Sequence, residues 1–243
     1  MTEYAIVTTG GWIDDDFALR FLLKQLPESR FGRAGCPAGE EDADHILLIA
    51  SDRGLLFLDR HRIVPDLIVG DFDSVPETYI AQYLCGHPGV EMHAYSWEKD
   101  YTDTEIAARA AVERGCRRID FLGATGSRFD HMLSNVQILA MLLEQGIIGR
   151  ILDPCNRITV HRESFRIRKA DQWGKYVSFF AWGGDVHNLT LTGFHFPMKG
   201  GTVTADSSRT VSNQIEEEYA EVTFADGTLL MVESKDSTAG EVP

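Results

Sequence analysis

Cysteine is scarce in this chain of 243 residues, basic charge is nowhere concentrated, and no apolar run is long. Each shortage excludes something. The four cysteines, Cys36, Cys85, Cys116 and Cys155, stand far apart without a C-x-x-C pair, so neither a disulfide framework nor a zinc ribbon is expected, and a reduced cytoplasmic protein is. Lys and Arg number 23 against 37 Asp and Glu, a net charge of −14. No stretch gathers the basic patch that tracks a phosphate backbone, so neither nucleic acid nor an anionic membrane is expected as a partner. The opening "MTEYAIVTTGG" lacks the basic flank and apolar core of a signal peptide. The longest apolar run, Ile138 to Leu143, is far too short to cross a bilayer. His131, His161, His187 and His195 are scattered and form no set with metal-ligand spacing.

What is present is an alternation. Short runs rich in Val, Ile and Leu at 4–9, 45–50, 66–70, 90–95, 118–122 and 150–152 predict strands covered on both faces. Between them, 14–26, 54–61, 76–84, 103–114 and 130–145 carry helical patterns, the last with Phe129, Leu133, Val136, Ala140 and Leu143 as an expected buried stripe. β-α alternation implies an α/β, Rossmann-like domain, a mainly parallel sheet flanked by helices, over residues 1–155. Beyond Cys155 the texture changes to β-branched and aromatic segments such as "YVSFFAW" and "NLTLTGFHF", broken by turn signals at Gly183-Gly184 and Asp226-Gly227. This predicts a C-terminal antiparallel β-sandwich over 156–234, with a flexible tail at 235–243. Residues 27–44, rich in Gly, Pro and acids, read as a surface insertion.

Ligands of such sheets sit beyond the carboxyl ends of the strands, and there the polar residues collect. "LIVGDFDSVPE" runs from a buried strand into Asp71 and Asp73, which alternation places on one side, with Phe72 on the other. Two such charges ~4 Å apart repel by roughly 4 kcal/mol at an effective dielectric of ~20, unless a cation or proton lies between them. "SDRG" adds Asp52, "WEKDYTDTE" adds Asp100 and Asp103, and "GATGSRFDH" adds Arg128, Asp130 and His131. Each has a plain structural alternative: Ser74 to Glu77 and Thr102 to Glu105 are capping boxes, and Asp130 is an acceptable N-cap. Jointly, oxygen donors without zinc-like His or Cys suit Mg²⁺ together with a nucleotide phosphate. Gly123 to Ser127 offers backbone N–H groups, and Arg128 a charged fork.

These motifs, "SDRGLLFL", "VPDLIVGDFDSV", "EKDYTDTEIA", "FLGATGSRFDHMLSNVQIL" and "SSRTVSN", in this order, resemble thiamine pyrophosphokinases over roughly residues 45–233. The resemblance implies transfer of pyrophosphoryl from ATP to thiamine, giving thiamine diphosphate and AMP, by a homodimer with active sites at the subunit interface. It implies Mg²⁺ on Asp71, Asp73 and Asp100, and ATP near Asp52, Thr102, Asp103 and Arg128. Thiamine would lie near Asp130, Ser212 and Asn213. Arg53, Ser127 and Thr210 stand where the family often has glycine. Two other classes compete: a Mg²⁺-dependent phosphohydrolase, which can also present D-x-D at a strand end, and a silent nucleotide- or thiamine-binding module.

Overall fold

The computed structural model describes residues 3–31, 46–72, 75–94, 101–126 and 128–237, and the chain divides into two compact units, 1–153 and 154–243. In the first unit, β1 (Tyr4–Thr8), β2 (Ile46–Ser51), β3 (Leu67–Gly70), β4 (Glu91–Ala94), β5 (Arg118–Leu122) and β6 (Ile148–Leu152) pair in the order β4-β3-β2-β1-β5-β6. Every pair is parallel, with Tyr4 opposite both Ile46 and Arg118. The helices are α1 (Asp15–Gln25), α2 (Gly54–Arg60), α3 (Glu77–Gly86), α4 (Asp103–Glu113) and α5 (Phe129–Glu144). α2 packs on β1 and β2, α4 on β1 to β3, and α5 on β6.

Ala5, Ile6, Val7, Leu48, Ile49, Leu67, Ile68, Val69 and Ile119 are wholly buried, which is why β1, β2, β3 and β5 read as unbroken apolar runs. Each large side chain so buried contributes about 1.5–3 kcal/mol. β4 differs from the expectation of cover on both faces: it lies at the sheet edge, pairs only with β3 among the described strands, and none of its residues is buried. Asp120 is the polar exception in the core. It is fully buried on β5 and accepts from Tyr4 Oη at 2.6 Å, Arg118 at 3.0 Å and Arg150 at 2.6 and 2.5 Å. A buried carboxylate persists only when its lone pairs are met in this way.

The α5 stripe corrects the sequence reading. Asn135, Ile138, Leu139 and Leu142 face inward, whereas Phe129 is 72% and Leu133 43% exposed. Two apolar lines run along this helix at the same spacing, so periodicity does not choose between them. The choice is made by Asn135, whose amide donates to the Ala124 carbonyl at 2.7 Å.

The second unit packs two antiparallel sheets face to face. One joins β7 (Asn156–His161), β13 (Leu229–Ser234) and β9 (Tyr176–Ala181); the other joins β8 (Phe165–Arg168), β12 (Tyr219–Thr223), β10 (Val186–Thr192) and β11 (Met198–Val203). Inner residues of both sheets, among them Val177, Phe179, Leu229, Leu189, Leu191 and Val222, share one core, the sandwich expected from the alternating pattern. Of the expected insertion at 27–44, only 27–31 is described; Glu28–Arg30 forms a 3-10 turn, and Arg30 pairs with Asp66 at 2.8 Å.

Candidate active site

The order β4-β3-β2-β1-β5-β6 reverses direction at β1, so the carboxyl ends of β1 and β5 form the switch point at which ligands of such sheets bind. Two loops meet there. Thr9 N–H donates to Leu122 O at 2.9 Å and Trp12 N–H to Thr125 O at 3.1 Å, while the Thr9 hydroxyl donates to Gly123 O. The approach is backbone to backbone: a β-carbon on Gly11 would meet Thr125 O at 2.7 Å and run into Gly123 O. This explains the small residues of "TTGG" and "GATG" at these strand ends.

The acids gather on the same rim. Asp52 follows β2, is 9% exposed and has a left-handed backbone, φ 48°, with its N–H continuing the ladder to Val69 O at 2.9 Å. Its Oδ2 lies 3.1 Å from where a Gly10 β-carbon would stand. Asp71 follows β3 and is half-buried, and the next residue, Phe72, is buried with φ 55°. Non-glycine residues held at positive φ cost of order 1–3 kcal/mol each and cluster at functional sites. Asp103 opens α4, and its Oδ1 lies 3.5 Å from a notional Gly70 β-carbon, which also comes 3.4 Å from Asp52 N. The turns after β2 and β3 and the start of α4 therefore converge on Gly70.

Asp73 and Asp100, two of the three expected metal ligands, lie outside the described residues, as does Ser127. Among the described residues, no three His, Cys, Asp or Glu are grouped to hold a metal. Asp71, Asp52 and Asp103 bring only oxygen donors, a chemistry that fits a hard divalent cation and not zinc. Two hydroxyls that sequence reasoning passed over belong to these strand ends. Ser51 Oγ and Thr125 Oγ1 are buried and have no hydrogen-bond partner among the described residues, a condition that buried hydroxyls ordinarily avoid.

Thr102 caps α4 by accepting from Glu105 N–H at 3.2 Å, the N-cap half of the expected capping box, while the Glu105 carboxylate accepts from Arg109. Asp130 does not cap α5; Arg128 occupies the N-cap position, and Asp130 sits in the first turn. The two side chains form an exposed fork-to-carboxylate pair at 3.2 and 2.6 Å. Hydrogen bonding from Arg128 draws the Asp130 carboxyl down to about 2.

The two described glycine replacements, Arg53 and Thr210, cost no positive-φ strain. Arg53 has φ −61°, and its guanidinium donates to Gly10 O at 2.9 Å, tying the turn after β2 to the loop after β1. Thr210 is buried, is absent from the positive-φ positions, and donates to Phe179 O at 2.5 Å.

In the second unit Ser212 is exposed with φ 59°, and its N–H donates to Ser178 Oγ at 2.9 Å. Asn213 is 3% exposed. Its Oδ1 accepts from Phe196 and Gln214 N–H, both at 2.9 Å, and its Nδ2 donates to Phe196 O at 2.8 Å. Phe196, held at this point, is 61% exposed. Sequence reasoning quoted the segment that contains it without singling the ring out; the signal was an aromatic close to turn residues in an otherwise alternating stretch.

Comparison with known proteins joins these features. Residues 41–148 match the family model described as thiamin pyrophosphokinase, catalytic domain, and 163–229 match thiamin pyrophosphokinase, vitamin B1 binding domain. A thiamine pyrophosphokinase of Bacillus subtilis is 34% identical over 193 residues, spanning 79% of this chain and 89% of that one. The crystal structure of thiamine pyrophosphokinase from Bacillus subtilis superposes with a TM-score of 0.79 at 29% identity, covering 96% of this chain and all (100%) of the other. That of thiamin pyrophosphokinase from Geobacillus thermodenitrificans gives 0.76 at 29% identity, covering 97% and 99%. With both family models matched in order and the acid rim and sandwich in place, the chain belongs to the thiamine pyrophosphokinase family.

Proposed function

We propose that the first unit holds ATP with Mg²⁺ along the carboxyl ends of β1, β2, β3 and β5, and that the second unit receives thiamine beside Phe196 and Ser212. The chain is a diphosphotransferase of the thiamine pyrophosphokinase type: the hydroxyl oxygen of thiamine forms a bond to the β-phosphorus of ATP, the bond from that phosphorus to the α-phosphate bridge breaks, and AMP leaves. The observation that carries the site assignment is the meeting of Asp52, Asp103 and the backbone preceding Asp71 at Gly70.

The residues then divide the work. Asp71, with Asp73 and Asp100, would hold Mg²⁺, which when bound offsets charge on the phosphate oxygens. Asp52, Thr102 and Asp103 border the nucleotide, and the buried hydroxyls of Ser51 and Thr125 have unspent hydrogen-bonding capacity for ligand oxygens. Arg128 presents a bidentate fork to phosphate, held in place until then by Asp130. Once Arg128 turns to phosphate, the Asp130 carboxylate is released as an anionic acceptor for a cationic substrate. In-line transfer of this kind asks for positioning and charge complementarity more than covalent chemistry from the protein. The net charge of −14 favours approach of cationic thiamine.

A homodimer is part of this reading. Phe129 and Leu133 expose apolar surface on α5 immediately after Arg128, a face that a second copy would cover next to the phosphate-binding fork. A cytoplasmic location is part of this reading, supported by four widely spaced cysteines without a C-x-x-C pair, and no described helix is long and apolar enough to cross a membrane. The decisive assay is incubation with ATP and Mg²⁺, with and without thiamine. AMP that forms only with thiamine is expected; phosphate released without thiamine would identify a hydrolase, and binding without product a silent module.

A further inference from the structure

Asn213 has its amide turned toward the protein rather than toward solvent. Its Oδ1 takes the Phe196 N–H and its Nδ2 reaches the Phe196 carbonyl, so a single side chain satisfies both main-chain groups of one residue. The rest of the 213–216 segment extends this grip. Val177 and Asn213 exchange N–H···O bonds at 2.8 and 3.0 Å, Phe194 bridges Ile215, and His195 N–H donates to Gln214 O at 2.8 Å. Glu216 N–H donates to Gly193 O at 2.9 Å, while its carboxylate pairs with His195 Nδ1. The His195 ring stands edge-on to Phe196, with centroids 4.5 Å apart at 81°. Residues 193–196 thus form a splinted loop whose terminal ring is 61% exposed.

An exposed phenyl ring gains nothing from such a clamp in the folded chain alone. Fixing it beforehand removes the ordering cost that a ligand would otherwise meet, and the face of an aromatic ring attracts flat or cationic partners. We propose that Asn213 is a positioning residue, acting on thiamine only through Phe196, whose ring it holds ready for a planar, cationic ligand. This rests on the reading above that thiamine docks on this face of the second unit. It moves the polar anchor of the motif "TVSN" from the ligand to the protein's own backbone.

The test is a double-mutant cycle on thiamine-dependent AMP formation, with thiamine KM, ATP KM and kcat measured for Asn213→Ala, Phe196→Ala and the double variant. Each single change is expected to raise thiamine KM on the order of tenfold, the scale of losing one aromatic face against a stacked or cationic ring. ATP KM and kcat should stay within about twofold, because the loss is one of uniform binding. The double variant should be no worse than the worse single one, and Phe196→Trp should restore thiamine KM close to wild type. Far-UV circular dichroism and an unchanged ATP KM guard against a folding failure of the Asn213→Ala variant. A double variant showing the product of both losses, or a thiamine KM raised in Asn213→Ala but unchanged in Phe196→Ala, would overturn the proposal by making Asn213 a ligand contact. Folded variants with unchanged thiamine KM throughout would overturn the docking face as well, whereas wild-type protein that makes no AMP from thiamine would strike the activity itself.

Discussion

Asp103 at the start of α4 faces the backbone of Gly70 at the end of β3, with its Oδ1 3.5 Å from where a β-carbon on Gly70 would stand. Gly70 also has φ +153°, a conformation that side chains rarely adopt. A methyl at Gly70 would touch Asp52 and Asp103 only at ordinary contact distance, so the effect expected of Gly70→Ala is strain in the turn that leads into Asp71. The expected result is a destabilisation of about 1–3 kcal/mol and a rise in ATP KM exceeding any rise in thiamine KM. Urea unfolding and steady-state kinetics on the same preparation check it.

Asp71→Asn changes a carboxylate without disturbing β3, whose four residues are all buried and paired. Turnover at saturating substrates should fall on the order of 100-fold or more, since a metal ligand contributes several kcal/mol to charge stabilisation. The melting temperature should move by no more than about 4 °C, the shift that ~1 kcal/mol produces in a chain of this size. Wild-type turnover would remove Asp71 from the ligand set.

Phe129→Ser combined with Leu133→Ser removes the apolar surface on α5 that the fold leaves open. Because these side chains are 72% and 43% exposed, unfolding free energy of the isolated chain should change by less than ~1 kcal/mol. Sedimentation should instead show a shift from dimer to monomer, with loss of activity at low protein concentration. An unchanged sedimentation coefficient would place the subunit contact elsewhere.

His161 is pushed down to about 4 by burial, stacks on Phe165 at 4.0 Å, and has Thr159 Oγ1 2.9 Å from Nε2. A histidine kept neutral in the fold takes up its proton only on unfolding until pH falls below its folded value. Stability is then full above about 6.5 and declines as pH drops toward about 4, with a total loss of roughly 3 kcal/mol. Denaturant titrations from pH 7 to 4 should show this decline in wild type, and a decline smaller by that amount in His161→Gln.

Much of the fold was legible because local chemistry decided it. β5 occupies 118–122 as its apolar run predicts, and α4 begins at Asp103 because the Thr102 hydroxyl caps it. The two-unit character followed from the change of alternation past Cys155. Sequence could not say which apolar line of α5 faces the sheet, since Asn135 resolves that through a partner eleven positions away, at Ala124. Nor could it reveal that Asp52 and Phe72 take left-handed conformations, because neither residue type demands one. For Asn213 the motif marked the right place, but the direction in which its amide points depends on a loop that the chain reaches seventeen residues earlier.

The contact between Gly11 and the carbonyls of Gly123 and Thr125 has an evolutionary corollary. Neither loop can acquire a side chain there unless the other retreats, so a drifting sequence can remodel this switch point only by paired changes separated by more than a hundred positions. Diversification of substrate choice is thereby steered away from the phosphate end and toward positions such as Phe196, whose exposed ring can be replaced singly.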